Sequence, residues 1–222
     1  MDLLLLFLSV LLIVVIFYMT YTNYMSSSIE SKVEVDMAAA LTPIPIDKIV
    51  KPNAPSYTYK AWLYVDNRTT ATTDTAIFSR DNDLSLTLNR STSTLNVITK
   101  TDANVVQVTH QLTSNFPLQK WVYVVISVDG SVIDMYLDGK LVKSVKDTPH
   151  PNSTSTITFG VNQGIYMSKF NRVVKATNPQ TVWSEYLSGS GSSFGLSNLA
   201  SEYSVNLTLL ENNILSKSVT LW

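Results

Sequence analysis

Apolar and polar residues alternate through much of the chain beyond residue 56, most cleanly over 121–145, WVYVVISVDGSVIDMYLDGKLVKSV. Two Asp-Gly pairs, Asp129-Gly130 and Asp138-Gly139, interrupt the run. Alternation gives a strand with one face buried, and Asp-Gly between such runs signals a hairpin, because both central residues of a type I′ turn need positive φ. The segment is expected to form three antiparallel strands. Shorter runs at 57–65, 75–79, 84–88, 95–99, 105–112 and 156–160 extend the pattern. Short strands at this spacing, with turn residues between them, predict an all-β antiparallel sandwich or jelly roll. Trp62, Trp121 and Trp183 fall at positions that read as core.

One helix is expected within this pattern. Asn178 can cap it, Pro179 suits its first turn, and Val182, Trp183, Tyr186 and Leu187 form one apolar face. Two apparent strands follow, at 203–210 and 214–222. They either complete the sandwich or form an arm that pairs with a neighbour's sheet edge.

The amino terminus has a different pattern. Residues 3–19, LLLLFLSVLLIVVIFYM, are apolar except for Ser9, and no charge follows Asp2 until Glu30. About 20 such residues cross a hydrocarbon core of roughly 30 Å. Residues 1–25 are therefore expected to be a transmembrane anchor, with Leu3, Phe7, Leu11, Val14 and Phe17 facing lipid and Tyr18 and Tyr21 at the interface. A cleaved signal peptide fits less well, because Met1-Asp2 carries no Lys or Arg. Residues 26–55 read as a Ser/Pro-rich linker holding four of the eight prolines, a semi-rigid spacer. The β-domain is expected over 56–190, and the closing strands lie within 191–222.

Composition narrows the chemistry. Of 222 residues only 15% are charged, and the net charge is -1. A phosphate backbone finds no basic run to follow, which argues against nucleic acid as a partner. With no Cys, disulfides and thiolate metal sites are excluded. His110 and His150 are the only histidines and read as surface residues. No Gly-rich phosphate loop or nucleophile elbow is present, so the chain is expected to be no enzyme and to need no cofactor.

Four segments together carry a family resemblance: 57–62 (YTYKAW), 119–125 (QKWVYVV), 135–142 (MYLDGKLV) and 178–187 (NPQTVWSEYL). They resemble laminin-G-like domains of the concanavalin A-like lectin/glucanase jelly-roll family over about residues 56–190. The resemblance implies a concanavalin A-like sandwich. It also makes Asp81 and Asp83, in the oxygen-rich loop Asp81-Asn82-Asp83, candidate calcium ligands, although an Asx turn explains the same residues. Tyr166, after Gly164, is a candidate for stacking on a glycan. The glucanase branch needs a Glu-x-Asp-x-x-Glu strand, and the only near match, Glu34-Val35-Asp36, lacks the second Glu.

The layout of anchor, spacer and Cys-free jelly roll resembles membrane-anchored minor capsid proteins of large icosahedral DNA viruses of algae and amoebae. It implies a virion structural protein between inner membrane and capsid shell, with the bilayer and other shell proteins as partners. A surface-displayed module binding glycan or a host receptor is the alternative.

Overall fold

The computed structural model describes residues 3–24, 26–28, 35–70, 72–81, 83–100, 107–149, 154–190, 206–211 and 214–220. Its elements are, in chain order, α1 (Leu3–Tyr24), β1 (Ser26–Ser28), β2 (Val35–Asp36), a 3-10 turn (Ile46–Lys48), β3 (Ser56–Val65), β4 (Thr75–Arg80), β5 (Leu84–Asn89), β6 (Thr94–Lys100), β7 (Gln107–Thr113), β8 (Trp121–Asp129), β9 (Val132–Leu137), β10 (Lys140–Lys146), β11 (Ile157–Phe159), β12 (Ile165–Val173), α2 (Pro179–Leu187), β13 (Asn206–Glu211) and β14 (Ile214–Thr220).

The strands β1 to β12 form two antiparallel sheets face to face. One runs β1-β12-β3-β8-β9-β10, with β2 also on β12, and the other runs β11-β4-β5-β6-β7. Alternation places the core between them. On β3 the odd positions Tyr57, Tyr59, Ala61, Leu63 and Val65 enter the main apolar cluster, joined by Val122, Val124, Ile126 and Val128 of β8 and by Leu84, Leu86 and Leu88 of β5. Aromatic rings bridge the sheets, with Tyr59–Phe78 at 4.9 Å, Phe78–Phe170 at 5.2 Å and Phe159–Phe170 at 4.9 Å. Offset and edge contacts of this kind add about 0.5–1.5 kcal/mol each beyond area burial.

The meander forms as expected, with one turn displaced. Asp138 (φ 47°) and Gly139 (φ 79°) occupy the centre of the β9–β10 turn, as type I′ requires. In the β8–β9 turn Asp129 pairs with Val132, so the centre is Gly130-Ser131, and of these only Gly130 has positive φ. That is the pattern of a type II′ turn, with Gly first.

The spacer expected over 26–55 largely belongs to the sandwich. β1 pairs with β12 two residues after α1 ends, and Met37, Ile44 and Ile49 are buried in the main core. The prolines shape a strap laid on the domain, so the chain enters the sandwich at once.

β12 is an addition to the expected set. It pairs with β3 from Ile165↔Val65 to Val173↔Thr58, with a bulge between Ser168 and Asn171 where Lys169 takes φ 49°. Among the described residues β13 and β14 pair only with each other.

In α1, side chains are described for Phe7 and for residues 9–19, and those of Leu11, Val14, Phe17 and Tyr18 are exposed. Those of Leu3 and Tyr21 lie outside the described residues. Among the described residues no helix is long and apolar enough to cross a membrane. Residues 191–205 of the expected closing segment and His150 lie outside the description as well.

Candidate functional site

The outer face of the larger sheet carries the even-numbered residues of β3, and α2 covers part of it. Asn178 caps α2 by accepting from the Thr181 amide at 2.8 Å, and Pro179 opens the helix. Val182 then docks in a second apolar cluster with Trp62, Tyr123, Val125 and Tyr136. Glu185 fixes the helix from its polar side. It accepts from Lys60 Nζ at 2.6 Å and from the Tyr123 hydroxyl at 2.8 Å. Burial first, and then the Glu185 charge, push the Tyr123 phenol well above its ordinary range. Trp183 and Leu187, expected on the buried face of α2, are instead 43% and 61% exposed. Trp183 lies over the β9–β10 turn, where a Cβ added to Gly139 would meet its ring at 2.7 Å.

Beyond α2, one row of this face stays half-buried. The register aligns Asp36, Tyr166, Tyr64 and Trp121 across β2, β12, β3 and β8. Tyr64 lies 5.6 Å from Trp121 and 5.9 Å from Tyr166, ring centroid to centroid. Tyr166 is thus a strand residue in an aromatic row, where the sequence placed it in a loop. Its partners Tyr64 and Trp121 were not singled out as ligand contacts, and Trp121 read as core. Strand parity held the signal, because Tyr64 alternates with the buried Leu63 and Val65.

The two candidate calcium ligands part company. Asp81 is exposed in the β4–β5 turn, whereas Asp83 is buried. Asp83 accepts from the Tyr57 hydroxyl on one oxygen and from Arg80 Nη1, at 3.1 Å, on the other. Tyr59 donates to that second oxygen from 3.4 Å. Arg172, fully buried, stacks over the Tyr57 ring at 4.8 Å and donates to the Val50 carbonyl at 2.9 Å. Burial raises the Asp83 carboxyl, while the Tyr57 hydrogen bond and the Arg80 charge pull it back only in part. This carboxylate serves the core and does not face a cation with Asp81. Asn82 lies outside the described residues, and among those described no cluster of three metal-ligating side chains occurs.

His110 is not the free surface residue expected from sequence. Its Nε2 lies 2.6 Å from Asp147 Oδ2, which also accepts from the Thr99 hydroxyl. In this group the carboxylate is the hub. A hydrolytic triad needs the imidazole between nucleophile and acid.

The described fold is thus a two-sheet antiparallel sandwich of the jelly-roll class, with a short helix on one outer face and an aromatic row beside it. Residues 42–173, more than half of the chain, match a laminin-G family model of the concanavalin A-like lectin/glucanases superfamily, and the chain belongs to that family. No curated protein sequence matches it.

Solved structures share the fold. The botulinum neurotoxin serotype G binding domain is 16% identical with a TM-score of 0.50, covering 61% of this chain and 37% of that one. A structure of botulinum neurotoxin type C, which depends upon interaction with two ganglioside molecules to enter cells, is 16% identical with a TM-score of 0.48, covering 60% and 35%. The binding domain of Paraclostridial Mosquitocidal Protein 1 is 15% identical with a TM-score of 0.49, covering 59% and 36%. This chain spans little more than a third of each of them, and the likeness is one of fold.

Proposed function

We propose that the protein is a membrane-anchored, non-enzymatic recognition module that binds glycan through the aromatic row Tyr166–Tyr64–Trp121. That row carries the reading. Three half-buried rings in register on three neighbouring strands, beside the exposed Asp36, offer flat apolar faces next to a hydrogen-bond acceptor. A sugar presents the complementary pair, an apolar C–H face and a rim of hydroxyls. Membership of a lectin/glucanase superfamily supports the same ligand class.

The anchor belongs to this proposal. No residue of α1 is charged, and the reading of residues 1–25 as an anchor rests on the sequence pattern of 3–19, apolar except for Ser9, with Tyr18 and Tyr21 at its end. The outward side chains of Phe7 and Phe17 suit lipid. A place between an inner virion membrane and a capsid shell follows from layout alone. Glycan recognition therefore takes first place.

The test is a glycan array probed with the full chain in lipid nanodiscs, wild type beside Tyr64→Ala/Trp121→Ala. Saturable binding that falls at least about tenfold, the equivalent of about 1.4 kcal/mol, in the double variant is expected. Equal binding by both proteins, or none by the wild type, sinks the assignment.

A further inference from the structure

The outer face of the five-stranded sheet, on the opposite side of the sandwich, carries a second feature that the aromatic row does not use. Strand register sets two rows there: Ser79, Ser85, Ile98 and Thr109, and beside them Ala76, Thr87, Asn96 and Gln111. A depression of about 200 Å³ opens among Ser79, Ser85, Thr87, Ile98, Lys100 and Gln107, with the paired Arg80 and Asp83 also in its wall.

Among the described residues, two of its side chains bear on what it could bind. Thr87 is only 8% exposed, and its Oγ1 makes no hydrogen bond among the described residues. A buried hydroxyl without a partner costs about 1–3 kcal/mol, so native proteins rarely leave one unmet. Lys100 makes no ion pair among the described residues. The nearby Asp83 does not supply one, since its oxygens are taken by Tyr57 and Arg80.

The remaining groups are donors. Ser79 and Ser85 share one hydrogen bond at 2.6 Å, which leaves one of their two hydroxyl protons for another acceptor. Gln107 adds an amide at the end of the depression beside Lys100, its register partner. Hydroxyl, amide and ammonium donors around one hollow, with Ile98 as an apolar floor, select an anion with several acceptor oxygens.

We propose that this depression binds a carboxylate carried on a small hydroxylated scaffold, either a free hydroxy acid or a uronic-acid residue of a polysaccharide. The carboxylate meets Lys100. The scaffold's hydroxyls meet the serine pair and Thr87, whose oxygen turns toward the ligand by a change of χ1 rotamer. The site is separate from the aromatic row and stands or falls without it.

The experiment titrates the full chain in detergent with sodium glucuronate, with glucose as neutral control and sodium glycerate as the free hydroxy acid. Binding is followed by calorimetry and by amide shifts in β5 and β6. Glucuronate is expected to bind at least about tenfold more tightly than glucose, the fold-change of about 1.4 kcal/mol. Lys100→Met removes that preference. Thr87→Val, nearly isosteric, weakens glucuronate binding without lowering the unfolding temperature. Glycerate binding as well as glucuronate identifies a free hydroxy acid as the ligand, and glucuronate alone identifies a uronic acid. Equal affinity for glucuronate and glucose, indifference to Lys100→Met, or shifts confined to other strands overturns the proposal.

Discussion

Replacing Asp83 by Ala tests how the core is held at the connector end of the sandwich. Arg80 and Asp83 have side chains only 2% and 3% exposed, and Arg80 Nη1 lies 3.1 Å from Asp83 Oδ2. Arg172 places a second buried guanidinium nearby, so the substitution leaves two buried cations without their carboxylate and the Tyr57 hydroxyl without its acceptor. Removing one partner of a buried pair costs about 3–5 kcal/mol, a large part of the 5–15 kcal/mol that typically holds a domain. Burial nonetheless raises the Asp83 carboxyl, so desolvation outweighs what its partners return. Arg80→Met/Asp83→Leu should therefore cost less than Asp83→Ala alone, by about 1–3 kcal/mol.

The sign with pH follows from the same shift. A carboxyl raised in the folded state contributes stability that is complete below its unfolded value of 3.8 and is lost as pH rises through the folded pKa. Relative to Asp83→Asn, the wild type should gain stability as pH falls through that window, against the usual trend for acids. Urea unfolding of the full chain in detergent, followed by tryptophan fluorescence, measures each quantity. A cost for Asp83→Ala below about 0.5 kcal/mol, the range of ordinary surface substitutions, refutes the reasoning. So does a difference between wild type and Asp83→Asn that is flat with pH.

Three further outcomes follow from the packing. Gly160→Ala would set a Cβ 1.9 Å from the Ala76 carbonyl oxygen, and it should lower stability by about 1–3 kcal/mol in the same urea assay, with no loss if the strand shifts freely. Glu185→Ala deprives the nearly buried Lys60 and the Tyr123 hydroxyl of their acceptor. Hydrogen exchange should then speed up across α2 first, and uniform protection would contradict its role in docking the helix. Deleting residues 1–25 should give a folded domain that no longer floats with liposomes, and continued flotation would remove the anchor from the account.

Most strands were legible because every second residue is apolar and enters the main core, as from Tyr57 to Val65 in β3 and from Val122 to Val128 in β8. β12 escaped because its bulge at Ser168–Asn171 breaks the period of two, turning Lys169 outward between core residues Met167 and Phe170. The strap over 35–55 read as a linker because proline content signals extended chain, and extended chain packs on a domain as readily as it spaces one. Only the isolated apolar residues Met37, Ile44 and Ile49 marked it as core. Tryptophan content predicted burial without saying in which layer. Trp62 is buried beneath α2, Trp121 is half-buried, and Trp183 is largely open, all outside the main core. Asp83 looked like a loop ligand because sequence cannot reveal that Arg80, three residues away, turns inward with it. The aromatic row needs pairing between strands distant in sequence, which fixes Tyr166 beside Tyr64 and Tyr64 beside Trp121.

The most direct test of glycan recognition reads the indole N–H signals of the four tryptophans in nanodisc-embedded protein as the best array ligand is added. Trp121, in the row, should shift progressively to saturation, while Trp62, buried under α2, stays within line width. A saturating ligand that leaves Trp121 unmoved contradicts the account.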